Sequence, residues 1–194
     1  MEWNALWSPW TGPGIEHLRL VEDQDSFFVD SVMRGTTRVS YTIHCDRSWN
    51  TQNCTIHRHG ARSHKIHLRR DDQGHWMNAA HEHIPSLEGC SDISISTTPF
   101  THTLPIRRLS LHSGQSTEIL VACITIPTME VQPVKQRYTC LERSDDSSLY
   151  QYKEVDSDFT TEIRVDAQGL VLDYPEKWKR AWDDSFVGIK TAEN

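Results

Sequence analysis

Nowhere in the 194 residues is there a run approaching the roughly 20 apolar residues that a membrane-spanning helix requires. Nor do residues 1–14 show a basic region followed by an apolar core, so no secretory signal is expected. There is no C-x-x-C spacing among the five cysteines, Cys45, Cys54, Cys90, Cys123 and Cys140. An odd, unpaired set argues against a disulfide framework or a zinc finger and for reduced thiols in the cytoplasm. The chain lacks a G-x-S-x-G elbow, a phosphate-binding P-loop and a dinucleotide fingerprint, and no cofactor is expected. It also lacks a basic stripe. Its formal net charge is -7, which excludes the usual electrostatic footprint of a nucleic-acid binder. Helix signals are scarce.

What the sequence does have is period-two alternation, recurring from Ile15 to Tyr174. Val39, Tyr41, Ile43 and Cys45 fall on one face of a strand, with Arg38, Ser40, Thr42 and His44 on the other. Similar patterns surround Leu18, Val29, Ile56, Ile66 and Ile93. Glu118 to Ile126 is nearly continuous apolar, as in a strand covered on both faces. In the alternating run Val131 to Leu141, Pro133 points to a sheet edge or a bulge. Asp71-Asp72-Gln73-Gly74 and Asp166-Ala167-Gln168-Gly169 have turn chemistry. About ten strands at this spacing predict a sandwich or barrel in one domain spanning residues 1–194. Thr103 to Leu109 reads as one helical turn or an irregular crossing segment. Pro175 to Trp182 reads as the start of a short helix. The first dozen residues, and those after about Asp183, are expected to be loosely held.

The segment Thr98-Pro99-Phe100-Thr101-His102-Thr103-Leu104-Pro105-Ile106-Arg107-Arg108-Leu109 resembles the central motif of the putative glycolipid-binding family. Four further blocks resemble that family in the same order. They are residues 14–20, residues 87–96, Ile126-Pro127 with residues 136–139, and residues 169–175. Together they span roughly residues 14–182. The resemblance implies a twisted antiparallel sheet curled into a half-open β-barrel with one or two short helices, similar to bacterial lipoprotein carriers. It also implies a lipid-like or glycolipid-like ligand. The chain departs from the family pattern at His102, where Asn is common, and at Ser94, where an acidic residue is common.

A concave sheet face that holds a hydrophobic or amphipathic small molecule needs an apolar lining and a few orienting polar groups. Phe100, Leu104 and Ile106, with Tyr41, Trp76, Tyr138, Tyr150 and Tyr152, are candidates for the lining, and equally for ordinary core. Glu16, His17, His102 and Gln136 are the polar candidates. On a strand only one of Arg107 and Arg108 faces inward. That arginine needs either a ligand anion or an internal carboxylate, Glu16 or Asp92. An alternative function is a cofactor-independent cyclase, pericyclase or isomerase in the same pocket, with His17, Arg107 and Tyr138 as the catalytic candidates. A third is a protein-interaction module using a sheet edge, its partner unknown. His57-Arg58-His59, His81-Glu82-His83, His64, His67 and His75 suggest a metal site. The alternation places His57, His59 and His67 on a solvated face, and no metal is expected.

Overall fold

The computed structural model describes residues 1–183. The described residues form one large, mainly β sheet that curls without closing. Seven strands form its first arm: β1 (Glu2–Pro9), β2 (Ile15–Glu22), β3 (Ser26–Arg34), β4 (Arg38–Asp46), β5 (Thr51–His59), β6 (His64–Arg70) and β7 (Trp76–Met77). The second arm holds β8 (Asp92–Ile95), β9 (Ser116–Thr125), β10 (Glu130–Arg143), β11 (Ser147–Glu154), β12 (Thr160–Asp166), β13 (Val171–Tyr174) and β14 (Trp178–Asp183). β1 to β7 form one meander and β9 to β14 another, and the two join where β1 pairs with β14. All pairings are antiparallel except β8 with β9.

That exception follows from the chain path. Parallel neighbours need a crossover of a dozen or more residues. Here the crossover runs from Thr98 through a 3₁₀ turn, Phe100–His102, into helix α1 (Thr103–Leu109). Pro105 stands in the first turn of α1, where a missing N–H costs little. The helix ends at Ser110, whose φ of 46° is left-handed.

The crossover fills the inside of the curl. Phe100, Leu104 and Ile106 are buried. Phe100 and Leu104 pack with the inward residues of β1 to β6, including Trp7, Leu18, Tyr41 and Ile43. Ile106 packs with the second arm, against Tyr138, Tyr150, Ile163 and Val165. Thr103 Oγ1 donates to Gly169 O at 2.8 Å, which ties α1 to the β12–β13 hairpin. Arg108 grips Asp92 with two bonds, Nε to Oδ1 at 3.0 Å and Nη2 to Oδ2 at 2.6 Å, and also donates to Ser91 Oγ. Asp92 is wholly buried, so this pair neutralises a charge that could not stand alone.

Three sequence-based expectations are corrected. Residues 2–9 are not loose: Ala5 and Trp7 are fully buried, and Trp7 Nε1 donates to Val171 O at 2.7 Å. The alternation simply begins earlier than Ile15. Residues 175–182 do not start a helix. They make a turn, with Glu176 at φ 62°, and then β14, because β1 and β13 supply backbone partners on both sides. The strands among the described residues number fourteen rather than about ten. Pro133 does lie at an edge: it pairs with Ala122 of β9, while β11 pairs with β10 only from Gln136 onward. Gly169 takes the left-handed conformation expected of its hairpin, φ 80°. The residues after 183 lie outside the described part.

Candidate functional site

The crossover fills the middle of the curl, and the cavities beside it lie toward its two ends. At one end two cavities lie side by side. The first, of 340 Å³, is lined by Ser94, Ile95, Ser96, Thr98, His102, Cys123, Tyr152, Glu154, Phe159, Tyr174, Lys177 and Trp178. The second, of 380 Å³, is lined by Pro9, Pro13, Gly14, Met33, Arg34, Val39, Ile126, Pro127, Trp178 and neighbouring turn residues, Thr97 among them. Trp178 belongs to both walls, and the chain from Ser96 to Thr98 runs between them. Both volumes suit a small molecule.

His102 is the centre of the first cavity's polar wall. The 3₁₀ turn aims its ring at the second arm, where it meets Tyr152 and Tyr174 edge-on at 4.7 and 5.1 Å. Its Nδ1 lies 2.8 Å from the Tyr138 hydroxyl. That hydroxyl donates to Gln136 Oε1 at 3.2 Å, and Gln136 Nε2 donates to Ser94 Oγ at 3.4 Å. When Tyr138 gives its one proton to Gln136, His102 Nδ1 is the donor to Tyr138 and Nε2 is the acceptor nitrogen. Burial pushes the imidazole pKa down to about 3, so the ring is neutral at physiological pH.

Thr98 leads from this cavity to a second polar group. Its Oγ1 donates to Glu16 Oε1 at 2.8 Å, and the same oxygen accepts from Tyr41 at 2.6 Å and Ser31 at 2.8 Å. Glu16 Oε2 is buried and has no partner. Among the described residues no cation faces this carboxyl within hydrogen-bond reach, and burial raises its pKa to about 7 despite the three donors. The cluster fastens β2, β3 and β4 to the start of the crossover.

The structure thus brings Glu16 with Tyr41, and His102 with Gln136 and Tyr138. Phe100 and Leu104 are core beneath them. The remaining candidates lie elsewhere. His17 is exposed on the outer face of β2, because neighbours on a strand point apart and Glu16 takes the inside. Trp76 is buried in the first arm, donating to Cys90 O at 2.9 Å. Arg108 is occupied by Asp92. Arg107 lies at the opposite end of the curl, over the Trp49 ring at 5.3 Å. The catalytic candidates His17, Arg107 and Tyr138 therefore sit on the outer face, at the far end and in the interior. They do not converge. As expected, one of the two arginines turns inward, Arg108 onto Asp92, although both ride on a helix rather than a strand.

His57 bonds to the hydroxyl of Ser63, His59 to that of Ser40 and His67 to that of Thr55, while His75 and His83 both reach the Glu88 carboxylate. Among the described residues no group of three His, Cys, Asp or Glu side chains could hold a metal ion. No helix among them is long and apolar enough to cross a membrane.

Sequence reasoning passed over Glu154, Phe159, Lys177 and Trp178. The alternation of Leu149 to Val155 could have given Glu154 as an inward carboxylate beside Tyr152. Trp178 was hidden by its misreading as part of a helix.

Comparison with known proteins fits this architecture. A solved structure of a DUF1089 family protein from Pseudomonas aeruginosa superposes with a TM-score of 0.75 at 32% identity, covering 88% of this chain and 95% of that one. No curated protein matches the sequence. The family model described as putative glycolipid-binding matches residues 4–180. With nearly the whole described chain inside that match, the protein belongs to the putative glycolipid-binding family.

Proposed function

We propose that the protein binds an amphipathic, glycolipid-like small molecule across the paired cavities, with the polar head in the His102 cavity and the apolar chain in its neighbour. The observation that carries this reading is the shared wall. Trp178 lines a cavity rich in hydroxyl, carboxylate and aromatic groups on one side and a mainly apolar cavity on the other. A sugar presents hydroxyls at its edges and C–H groups on its faces. Glu154 and His102 Nε2 can accept from hydroxyls, Lys177 can donate, and the rings of Phe159 and Trp178 suit a C–H face. The neutral state of His102 fits the same role, since a protonated ring would lose its acceptor. A cytoplasmic setting belongs to this reading and is supported by five free cysteines, four of them buried. Glycolipid binding itself is what the family description suggests.

A series of alkyl glucosides tests it. Each methylene entering the apolar cavity contributes about 0.8 kcal/mol, roughly a fourfold gain in affinity per carbon. Affinity should climb with chain length and then level off, with free glucose far weaker. Trp178→Ala should weaken both short and long members. Binding that ignores chain length, or that survives Trp178→Ala unchanged, sinks the reading.

A further inference from the structure

The opposite end of the curl carries a different chemistry. A cavity of 390 Å³ there is lined by Ile106, Arg107, Ser110, Arg143, Ser144, Asp145, Ser148, Tyr150, Val165, Asp166, Ala167 and Gly169. Tyr150 and Tyr152 mark the separation: on β11 the residues Ser148 and Tyr150 face this cavity, while Tyr152 and Glu154 face the His102 cavity. From Ser148 to Glu154 is six residues, about 20 Å of strand.

Two guanidiniums border this cavity, and neutral groups hold both. Arg143 Nη1 donates to Leu111 O at 2.8 Å and, more weakly, to Ser110 Oγ at 3.4 Å. Arg107 Nη1 donates to Ala167 O at 3.4 Å, and its guanidinium lies over the Trp49 ring. Gly169 is what lets the Arg107 stem lie there, since a Cβ on that residue would come within 2.9 Å of Arg107 Cδ. Burial lifts the Tyr150 phenol pKa to about 12, and the Cys140 thiol beside it acts in the same direction, while Arg143 and Arg107 act to lower it. Of the two carboxylates on the rim, Asp166 is already committed. Its Oδ1 accepts the backbone N–H groups of Gln168 and Leu170, and its Oδ2 accepts from Arg180 at 3.1 Å. Asp145, in the β10–β11 turn, offsets one of the two positive charges. A net positive charge remains, together with the hydroxyls of Ser110 and Ser148.

We propose that this cavity is a second ligand site, which takes the phosphoryl or carboxyl oxyanion of a small molecule between Arg107 and Arg143, with any apolar body lying on Ile106, Tyr150 and Val165. Guanidiniums are suited to the planar, two-point recognition of such groups. Arg143 is held by the Leu111 carbonyl, which leaves its charge unspent, so little ordering of that side chain is required when an anion arrives. The site does not depend on the glycolipid reading, since the crossover helix separates the two ends.

The test is an NMR titration of the full chain, following the arginine Nε–H signals. The probes are inorganic phosphate, acetate, and vesicles of phosphatidylcholine with or without phosphatidic acid. Saturable shifts of the Arg107 and Arg143 signals by phosphate or acetate are expected. They should weaken as salt rises. Arg107→Gln and Arg143→Gln should each weaken binding roughly tenfold or more, while Arg143→Lys, which keeps the charge but loses the fork, falls between. If only vesicles with phosphatidic acid bind, and Arg107→Gln removes that binding, the oxyanion comes from a lipid headgroup. No saturable response to any probe, or responses indifferent to Arg107→Gln, overturns the proposal. Alkyl glucoside binding by the same variants should be unchanged, which separates failure here from failure at the other end. Arg107 is exposed and makes one long hydrogen bond, so its variant keeps the test usable if Arg143→Gln does not fold.

Discussion

Glu16 carries three donors on one carboxyl oxygen, none on the other, and no cation opposite. Its pKa rises from 4.5 to about 7 on folding because burial outweighs the hydrogen bonds. Between those two values the folded protein keeps a proton that the unfolded chain has lost. Raising the pH through that window therefore removes stability, at 1.36 kcal/mol per unit, for a total on the order of 3 kcal/mol. His102 works in the other direction. Its pKa falls from 6.5 to about 3, again through burial. Between about 3 and 6.5 the unfolded chain binds the extra proton, so raising the pH adds stability at the same slope. Across pH 4.5 to 6.5 the two groups oppose each other. Glu16→Gln removes one side of that balance, and His102→Asn removes the other. Urea unfolding of the three proteins at a series of pH values reads the difference directly, because every other group cancels when profiles are subtracted. Relative to the parent, Glu16→Gln should gain stability steadily from pH 4.5 to 7, and His102→Asn should gain it as pH falls from 6.5. Parallel profiles for the parent and Glu16→Gln would refute the account of a carboxyl buried without a charge partner.

Asp92→Ala should leave Arg108 uncompensated and loosen the crossover, costing about 3–5 kcal/mol in chemical denaturation. Phe100→Ala should cost a similar amount, about 3–5 kcal/mol, since the ring is wholly buried against Tyr41 and the first-arm core. Tyr138→Phe removes the hydroxyl that His102 and Gln136 share, and should cost about 1–3 kcal/mol by urea unfolding. The same variant should also change alkyl glucoside affinity, because it frees the His102 ring to turn.

The strand pattern was legible because one face of nearly every strand is core. Tyr41, Ile43 and Cys45 turn inward as their spacing requires. The motif from Thr98 to Leu109 stood out through its prolines and arginines, but its position did not. Whether Phe100 and Leu104 line a groove or fill it depends on where the crossover lies, and local periodicity contains no such information. The partner of Arg108 was narrowed to Asp92 or Glu16 by the need to neutralise an inward charge, and geometry chose Asp92. The pairing of His102 with Tyr138 joins residues 36 apart in sequence and is set by the parallel step from β8 to β9. Residues 2–9 and 178–183 were misjudged for one reason. Each supplies backbone partners to the other, so neither shows itself as a strand when read alone.

A crystal structure of the protein with a long-chain alkyl glucoside tests the central claim most directly. The account predicts the sugar within hydrogen-bond reach of His102 or Glu154, and the chain along Met33, Val39 and Ile126, with Trp178 between them. A ligand seated elsewhere, or with its chain outside the apolar cavity, would contradict it.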